Sequence, residues 1–235
     1  MNRKTLYIEA MVGALSLFAL VSCGKKDNPI TVPDKTQLMI VHASPDTPDI
    51  QVSIDDQQLV NNLAFRHATP YMTVNPGKHD VKIADAGVAN GLIYEDSITF
   101  DAGYVSMITT NLVDSLKVIT IDDRIVPPGN TSMGLRFANL SPNAGPTNFV
   151  ISTPENDSLT FKSIPFGEVT SFQDFQGSIK DNLEVRSAAT DSVLVGVISD
   201  SNRLQDGGLY TIYLTGLKGD QNSPERLDLT IIQND

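Results

Sequence analysis

Three histidines and one cysteine are the side chains of this 235-residue sequence best suited to hold a metal ion or attack a substrate. His42, His67 and His79 all lie in the first half of the chain, and their spacing has no metal-ligand signature. Because Cys23 is alone, no disulfide can form within the chain and no cysteine-rich zinc or iron–sulfur site can be built. A three-histidine site would require the fold to bring these residues together, so we predict no metal site and no cofactor.

Acidic pairs offer a second kind of chemistry. Asp55-Asp56, Asp122-Asp123 and the loop 200–206 contain hard oxygen ligands of the type that calcium prefers, but the loop lacks the glycine and the terminal glutamate of an EF-hand. We interpret these acids as solvated turn residues. The sequence also has no nucleophile elbow, no phosphate-binding glycine loop and no HExxH helix. We therefore predict no catalytic residue and a protein that is not an enzyme.

Cys23 follows a segment that is typical of an export signal. Arg3 and Lys4 form a basic start, and residues 10–21 are a continuous apolar run, shorter than the about 20 residues that span a bilayer. Residues 20–23, with the sequence Leu-Val-Ser-Cys, resemble the bacterial lipobox, in which the cysteine becomes the lipidated N-terminus. We predict a cleaved lipoprotein signal peptide at 1–22, lipid on Cys23 and a flexible tether at 23–35. The alternative is an uncleaved N-terminal anchor.

The remainder of the chain is dominated by the two-residue period of β-strands. Residues 49–55, 80–83 and 183–186 alternate between apolar and polar side chains, which places one face on a core and the other in water. Apolar or β-branched runs, including 38–41, 105–108 and 209–214, indicate strands buried on both faces. Turn residues separate the strands, and no sustained helical period is present. We predict an all-β protein built from antiparallel β-sandwich domains, immunoglobulin-like or transthyretin-like.

The sequence also repeats itself. Residues 38–45 align with residues 135–142 at an offset of 97, and residues 103–108 align with 208–213 at an offset of 105. The order of the aligned blocks is kept, as expected for a duplicated domain with a few loop insertions. We therefore predict two tandem sandwich domains, at 36–126 and 133–235, joined by a proline-containing linker at 127–132.

The first copy resembles a known bacterial family. Residues 41–48, with the sequence Val-His-Ala-Ser-Pro-Asp-Thr-Pro, resemble the opening signature of domain-of-unknown-function family 4397, and later blocks around Phe65, Tyr71 and Pro76-Gly77 follow in the family's order. The resemblance covers about Thr36 to Asp123 and is weak in the second copy, where Asn139 stands in the place of His42. It implies a β-sandwich module on exported and anchored proteins, with no established activity.

Composition and charge limit the function further. A net charge of -11 argues against binding to nucleic acid, because that affinity comes largely from lysine and arginine neutralising phosphates. With 6% aromatic residues and no tryptophan, the chain lacks the flat aromatic platforms typical of carbohydrate-binding modules. The tyrosines are interpreted as core or rim residues; those considered are Tyr71, Tyr94, Tyr104, Tyr210 and Tyr213.

These observations favour a lipid-anchored, non-catalytic binding or structural module of the cell envelope. Its predicted contacts are the membrane, through lipid on Cys23, and an envelope protein or a glycan, and the predicted location is the outer membrane, on either face. The alternative is an envelope hydrolase or metal-dependent enzyme whose site is assembled from scattered residues.

Overall fold

The computed structural model describes residues 33–123, 128–152, 158–176, 182–198, 204–219 and 221–234. These residues form sixteen strands and one short 3₁₀ turn, Val113–Ser115, and no α-helix occurs among them. The strands are β1 Thr36–His42, β2 Ile50–Ile54, β3 Gln57–Leu63, β4 Met72–Val74, β5 Gly77–Asp85, β6 Leu92–Phe100, β7 Gly103–Thr110, β8 Lys117–Asp122, β9 Met133–Asn139, β10 Thr147–Ser152, β11 Ser158–Ile164, β12 Gln173–Phe175, β13 Asn182–Ser187, β14 Val193–Ile198, β15 Leu209–Thr215 and β16 Asp228–Gln233.

The first eight strands form two four-stranded sheets. One sheet has the order β4-β1-β7-β8 and the other has the order β3-β2-β5-β6. Twelve buried side chains from both sheets make a common core between them, with Leu38, Val52 and Val81 among the residues that are fully buried. This part of the chain is therefore a β-sandwich, which we call the first sandwich.

The last eight strands repeat this arrangement with the same connectivity. Their sheets have the orders β12-β9-β15-β16 and β11-β10-β13-β14, which are the first two orders with eight added to every strand number. Their core includes a stacked pair, Phe137 and Phe149, whose ring centroids lie 4.7 Å apart. The prediction of an all-β protein with two sandwich halves is confirmed.

One strand pair in each sandwich departs from the predicted antiparallel pattern. β1 runs parallel to β7, with Thr36 opposite Gly103, and β9 runs parallel to β15, with Gly134 opposite Leu209. Parallel neighbours need a crossover connection, and here strands of the second sheet supply it. With strands lettered A to H, the sheet orders are D-A-G-H and C-B-E-F. This is a transthyretin-like arrangement, whereas the immunoglobulin fold places A, B, E and D in one sheet.

The two sandwiches pack against each other through the sheets that contain β1 and β9. A third apolar cluster joins Met39, Val41 and Ile108 of the first sandwich to Ala138 and Tyr213 of the second. β1, β7, β9 and β15 therefore have a core on each side, which explains why burial along these strands does not alternate. By contrast, β2 belongs to an outer sheet, and its burial alternates as its sequence predicts.

Several predictions fall outside the described residues. They are the signal peptide at 1–22, the lipid on Cys23 and most of the tether at 23–35, together with residues 124–127 at the predicted domain boundary and the first part of the acidic loop 200–206. Within the ranges that the structure does cover, no helix has the length and apolar character needed to cross a membrane.

Candidate functional site: the junction and cleft between the two sandwiches

His42 is a buried structural residue at the end of β1. Its Nε2 lies 3.1 Å from the carbonyl oxygen of Pro48 and therefore donates, while its Nδ1 accepts from the hydroxyl of Thr109 at 3.2 Å and faces the Ser44 amide at 3.4 Å. Burial lowers the pKa of the imidazole, which keeps the ring neutral. The ring thus closes the corner that leads from β1 to β2.

Asn139 does in the second sandwich what His42 does in the first. Its amide nitrogen donates to the carbonyl of Gly145 at 2.9 Å and its amide oxygen faces the Ser141 amide at 3.3 Å. The acceptor lies six residues later and the donor two residues later, as they do for His42. The replacement of histidine by asparagine therefore preserves two of the corner's hydrogen bonds, while Leu214 stands opposite Asn139 where Thr109 stands opposite His42. The family-like signature thus has an architectural role in both halves.

His79 has a different structural role, on the outer sheet of the first sandwich. Its Nδ1 is 2.7 Å from the carboxylate of Asp55 and its Nε2 is 2.9 Å from the carbonyl of Asn75, while its ring stacks on Phe100. Two acceptors favour the doubly protonated ring, so the hydrogen bond to Asp55 raises the pKa of His79. The same bond lowers the pKa of Asp55.

The ring nitrogens of the three histidines therefore bond to different partners. His67 contacts the His42 corner only through its backbone, where the amide of His42 donates to the carbonyl of His67 at 3.0 Å. His79 bonds to Asp55 and Asn75 instead. In the described part of the chain, no group of three or more histidine, cysteine, aspartate or glutamate side chains is placed to hold a metal ion.

The junction between the sandwiches contains a buried ion pair. Asp123, which follows β8, has no exposed surface, and Arg136 on β9 is 2% exposed. The Arg136 guanidinium donates to one oxygen of Asp123, while the other oxygen accepts from Ser106 at 2.6 Å and from Tyr71 at 2.8 Å. The interpretation of Asp123 as a solvated turn acid was wrong, because its side chain is fully buried. The guanidinium of Arg136, from the other sandwich, compensates the charge.

A second set of bonds mirrors this one. Asn234, which follows β16, accepts from the hydroxyl of Thr211 at 2.5 Å, and its amide nitrogen donates to Tyr71 at 3.3 Å. Arg136 donates to Thr211 at 2.8 Å and stacks over the ring of Phe172, 4.4 Å from its centroid. Side chains of both halves are therefore joined in one polar network, which we call the junction network.

Arg66 makes a second connection between the sandwiches. Its Nε donates to the hydroxyl of Thr215 at 3.1 Å, its Nη1 donates to the carbonyl of Pro224 at 3.1 Å, and its Nη2 donates to the carbonyl of Arg226. A Cβ at Gly216 would lie 2.2 Å from that last carbonyl oxygen and 2.7 Å from Nη2, so only glycine allows this approach. Partial burial lowers the pKa of Arg66.

An open cleft of about 570 Å³ lies beside these contacts. Residues 66–71, which precede β4, form one wall, and residues 230–233 of the edge strand β16 form the other. Its volume is within the roughly 300–1,000 Å³ typical of small-molecule sites. The described lining residues are Met39, Arg66, His67, Ala68, Thr69, Pro70, Tyr71, Thr230, Ile231, Ile232 and Gln233.

Sequence reasoning identified none of the residues that connect the two sandwiches. Asp123, Arg136 and Arg66 carry no motif, and their partners lie in the other half of the chain. The sequence nevertheless contained an indication of the junction, because the repeat aligns Ser106 with Thr211 at the offset of 105. Two hydroxyl residues at equivalent positions of strands buried on both faces indicate a shared polar contact.

About half of the chain resembles a known protein family. Residues 36–150 match the profile of the domain of unknown function DUF4397. This similarity includes the predicted region, Thr36 to Asp123, and extends through β9 into β10 of the second sandwich. No curated protein matches the sequence.

Three solved structures show weak similarity to the chain. A candidate adhesin from Bacteroides ovatus is 9% identical, with a TM-score of 0.26 over 84% of this chain and 92% of that one. The fimbrial anchor protein Mfa2 from Porphyromonas gingivalis is 9% identical, with a TM-score of 0.25 over 85% and 97%. A candidate cell adhesion protein from Bacteroides fragilis NCTC 9343 is 9% identical, with a TM-score of 0.22 over 86% and 98%.

Proposed function

We propose that this protein is a lipid-anchored, non-catalytic module of the cell envelope that binds an envelope protein or a glycan at the cleft between its two sandwiches. The observation that carries the binding role is the cleft itself, a concave surface of ligand-site size with polar side chains on both walls. The non-catalytic role is supported by His42 and His79, each of which has both ring nitrogens engaged in structural contacts.

The anchor is proposed from the sequence. The basic start, the apolar run at 10–21 and the Leu-Val-Ser-Cys segment coincide at the positions where a lipoprotein signal requires them. One acyl chain binds a membrane only marginally, so stable anchoring needs lipid on the thiol of Cys23 together with acylation of its freed amine. The tether at 23–35 would then separate the sandwiches from the outer membrane.

We also propose that the second sandwich is a diverged copy of the first. The identical strand orders support this origin, as do the matching hydrogen bonds of His42 and Asn139. A third correspondence is the threonine three residues before β4 and before β12. The Thr69 amide donates to the Ile40 carbonyl and its hydroxyl accepts from the Ile40 amide, and Thr170 makes the same two bonds with Phe137.

The anchor and the binding role need separate experiments. For the anchor, Cys23→Ala should abolish labelling by a palmitate analogue in cells and leave uncleaved precursor. Labelling that persists in this variant would refute the lipid anchor.

For the binding role, a photo-crosslinking amino acid at Thr230 in the cleft should capture a partner in intact cells. The same amino acid at Thr99, an exposed position on β6 of an outer sheet, serves as the control. Equal capture at both positions would contradict a binding role for the cleft. Substrate turnover by the purified protein that is lost in His42→Asn or His79→Gln would instead support an enzyme.

A further inference from the structure

Arg66 occupies a backbone conformation that disfavours it. Its φ is 66°, in the left-handed region, and the equivalent position of the second sandwich is Gly167 with a φ of 83°. The backbone amide of Arg66 donates to the carbonyl of His42 at the end of β1, and that of Gly167 donates to the carbonyl of Asn139 at the end of β9, each at 2.8 Å. Glycine adopts this conformation without a steric cost, whereas other residues lose about 1–2 kcal/mol. The first sandwich therefore retains a large cationic side chain where the fold favours glycine.

The contacts of Arg66 do not use its full capacity. Its three hydrogen bonds go to one hydroxyl and two carbonyl oxygens, and none of its bonds within the described residues goes to a carboxylate. A guanidinium has five N–H donors in a planar fork that matches a carboxylate. One donor on each terminal nitrogen therefore has no hydrogen bond to the described residues, and Arg66 lines the cleft.

The residues that line the cleft differ in charge from the chain as a whole. The chain carries -11, whereas the described lining residues include Arg66 and His67 and no aspartate or glutamate, and the acids that act on Arg66, Asp228 and Glu225, lie outside the lining. One fixed positive charge matches a singly charged carboxylate better than a phosphate, which carries about -1.5 to -2. The single guanidinium of the cleft thus favours a ligand with one carboxylate.

The other polar groups of the cleft are suited to hydroxyl groups. The Nδ1 of His67 donates to the carbonyl of Phe65 at 3.0 Å, so in the neutral ring Nε2 is left as an acceptor. Thr69 accepts from the Ile40 amide at 3.0 Å, which leaves its own O–H as a donor. Thr230 adds a hydroxyl from the opposite wall. Mixed donors and acceptors around one cation are the requirements of a sugar ring that carries a carboxylate.

We infer that the cleft binds a carboxylated saccharide whose carboxylate pairs with Arg66. This inference rests on the proposed binding role and specifies its ligand. The Arg66 fork holds the carboxylate, and His67, Thr69 and Thr230 contact the ring hydroxyls. Ala68 and Ile232 provide apolar surface for the sugar face, as both also pack on the apolar cluster of the junction.

The test is a titration of the purified protein with short oligomers of glucuronate, galacturonate and mannuronate and with sialyl-lactose, each compared with its methyl ester. Binding is followed by calorimetry and by amide chemical shifts of residues 66–71 and 230–233. At least one acid should bind, its ester should bind at least tenfold more weakly, and salt should weaken the binding. No binding of any acid at 10 mM, or equal binding of acid and ester, would overturn the inference.

Two variants locate the site. Arg66→Gln should reduce the affinity at least tenfold, while Lys117→Gln should not, since Lys117 is a cation that stacks on Phe166 rather than at the cleft. Because Arg66→Gln also removes the contacts to residues 215–226, Thr230→Glu provides an independent variant that places a negative charge in the cleft and leaves those contacts intact. It too should abolish binding, and undiminished affinity in Thr230→Glu would overturn the inference.

A second titration, with a peptide ligand, tests whether the bound carboxylate belongs to a sugar or to a peptide. A hexapeptide with a free C-terminal carboxylate is compared with its amide, and preference for the free peptide over every acidic saccharide would overturn the assignment to a sugar. Such a result, like a protein captured by the Thr230 crosslinker, would leave the proposed binding role standing. Failure of both ligand classes together with failure of the crosslinking would count against the binding role itself.

Discussion

Arg136 stands in the second sandwich where Met39 stands in the first. Each lies opposite a hydroxyl residue of the parallel neighbouring strand, Ser106 for Met39 and Thr211 for Arg136. The junction between the sandwiches therefore has an approximate two-fold pattern that one charge interrupts. The residue that neutralises this charge, Asp123, is itself the counterpart of Asn234, so the two departures from the pattern compensate each other.

This relationship predicts strong coupling between the two charged residues. Asp123→Asn alone leaves Arg136 buried without a counterion and should lower the free energy of unfolding by about 3–5 kcal/mol, and Arg136→Met alone should have a similar effect. The double variant restores the uncharged pattern of Met39 and Asn234 and should be more stable than either single variant. Guanidinium unfolding measures all four proteins. Additive losses in the double variant would contradict this account.

A second prediction concerns the corner of the first sandwich. His42→Asn keeps a donor and an acceptor at a position where the other half uses asparagine, so we expect a loss of about 1 kcal/mol or less in the free energy of unfolding. His42→Leu fills the site but removes the hydrogen-bond partner of the Pro48 carbonyl and of the Ser44 amide, so it should cost about 2–4 kcal/mol. Equal losses in urea unfolding would show that ring packing, and not hydrogen bonding, determines the corner.

A third prediction concerns pH. The pKa of His79 is raised in the folded protein, so its contribution to stability is complete below the unfolded value of about 6.5 and is lost as the pH rises through the folded value. The pKa of Asp55 is lowered, so the contribution of the carboxylate is lost as the pH falls below about 4. His79→Gln should therefore destabilise the protein more at pH 5.5 than at pH 9.

The control for this effect is His67→Gln, because His67 is exposed and its ring bonds only to Phe65 among the described residues. Unfolding midpoints of both variants are compared with those of the unaltered protein across this pH range. A destabilisation by His79→Gln that does not change with pH would refute the charged pair.

A fourth prediction distinguishes two tyrosines, the buried Tyr213 and the half-buried Tyr71. The hydroxyl of Tyr213 has no well-formed hydrogen bond among the described residues, and burial raises its pKa to about 12. Tyr213→Phe should therefore leave the stability unchanged or raise it by about 1 kcal/mol. Tyr71→Phe removes one bond to Asp123 and one from Asn234, so it should be destabilising. Thermal unfolding of the two variants should rank them in that order, and a reversed ranking would contradict the bonding described for these tyrosines.

The sandwich fold was accessible from the sequence, but its junction was not. The alternation in β2 and the turn residues between strands report on local geometry, so they identified strands directly. The apolar runs of β1 and β15 indicated burial on both faces without showing what covers the second face. That face is covered by the other sandwich, and its polar contacts join residues such as Tyr71 and Asn234 that are 163 positions apart. Local patterns carry no information about such pairs.

The residues of the candidate site were also only partly predictable from the sequence. The signature around His42 has an architectural role in the structure, where Ser44 donates to the carbonyl of Asn111 and Asp46 accepts from the amide of Val113. Arg66 was overlooked, since an isolated arginine in a loop has no pattern. The repeat aligns Arg66 with Gly167, but the significance of this difference depends on the left-handed backbone and on the cleft beside it, and both are properties of the folded chain.

The parallel pairing of the first strand with the seventh has a consequence for folding. β1 is synthesised first, but its central neighbour β7 begins 67 residues later, and until then the partners available to β1 are the three residues of β4 and the bridge from Val41 to Ala68. The cost of closing such loops makes sheets of this kind slow to form. Residues 36–110 must therefore all be available before β1 and β7 can pair along their full length, and until then the strand edges are open to proteases and to aggregation.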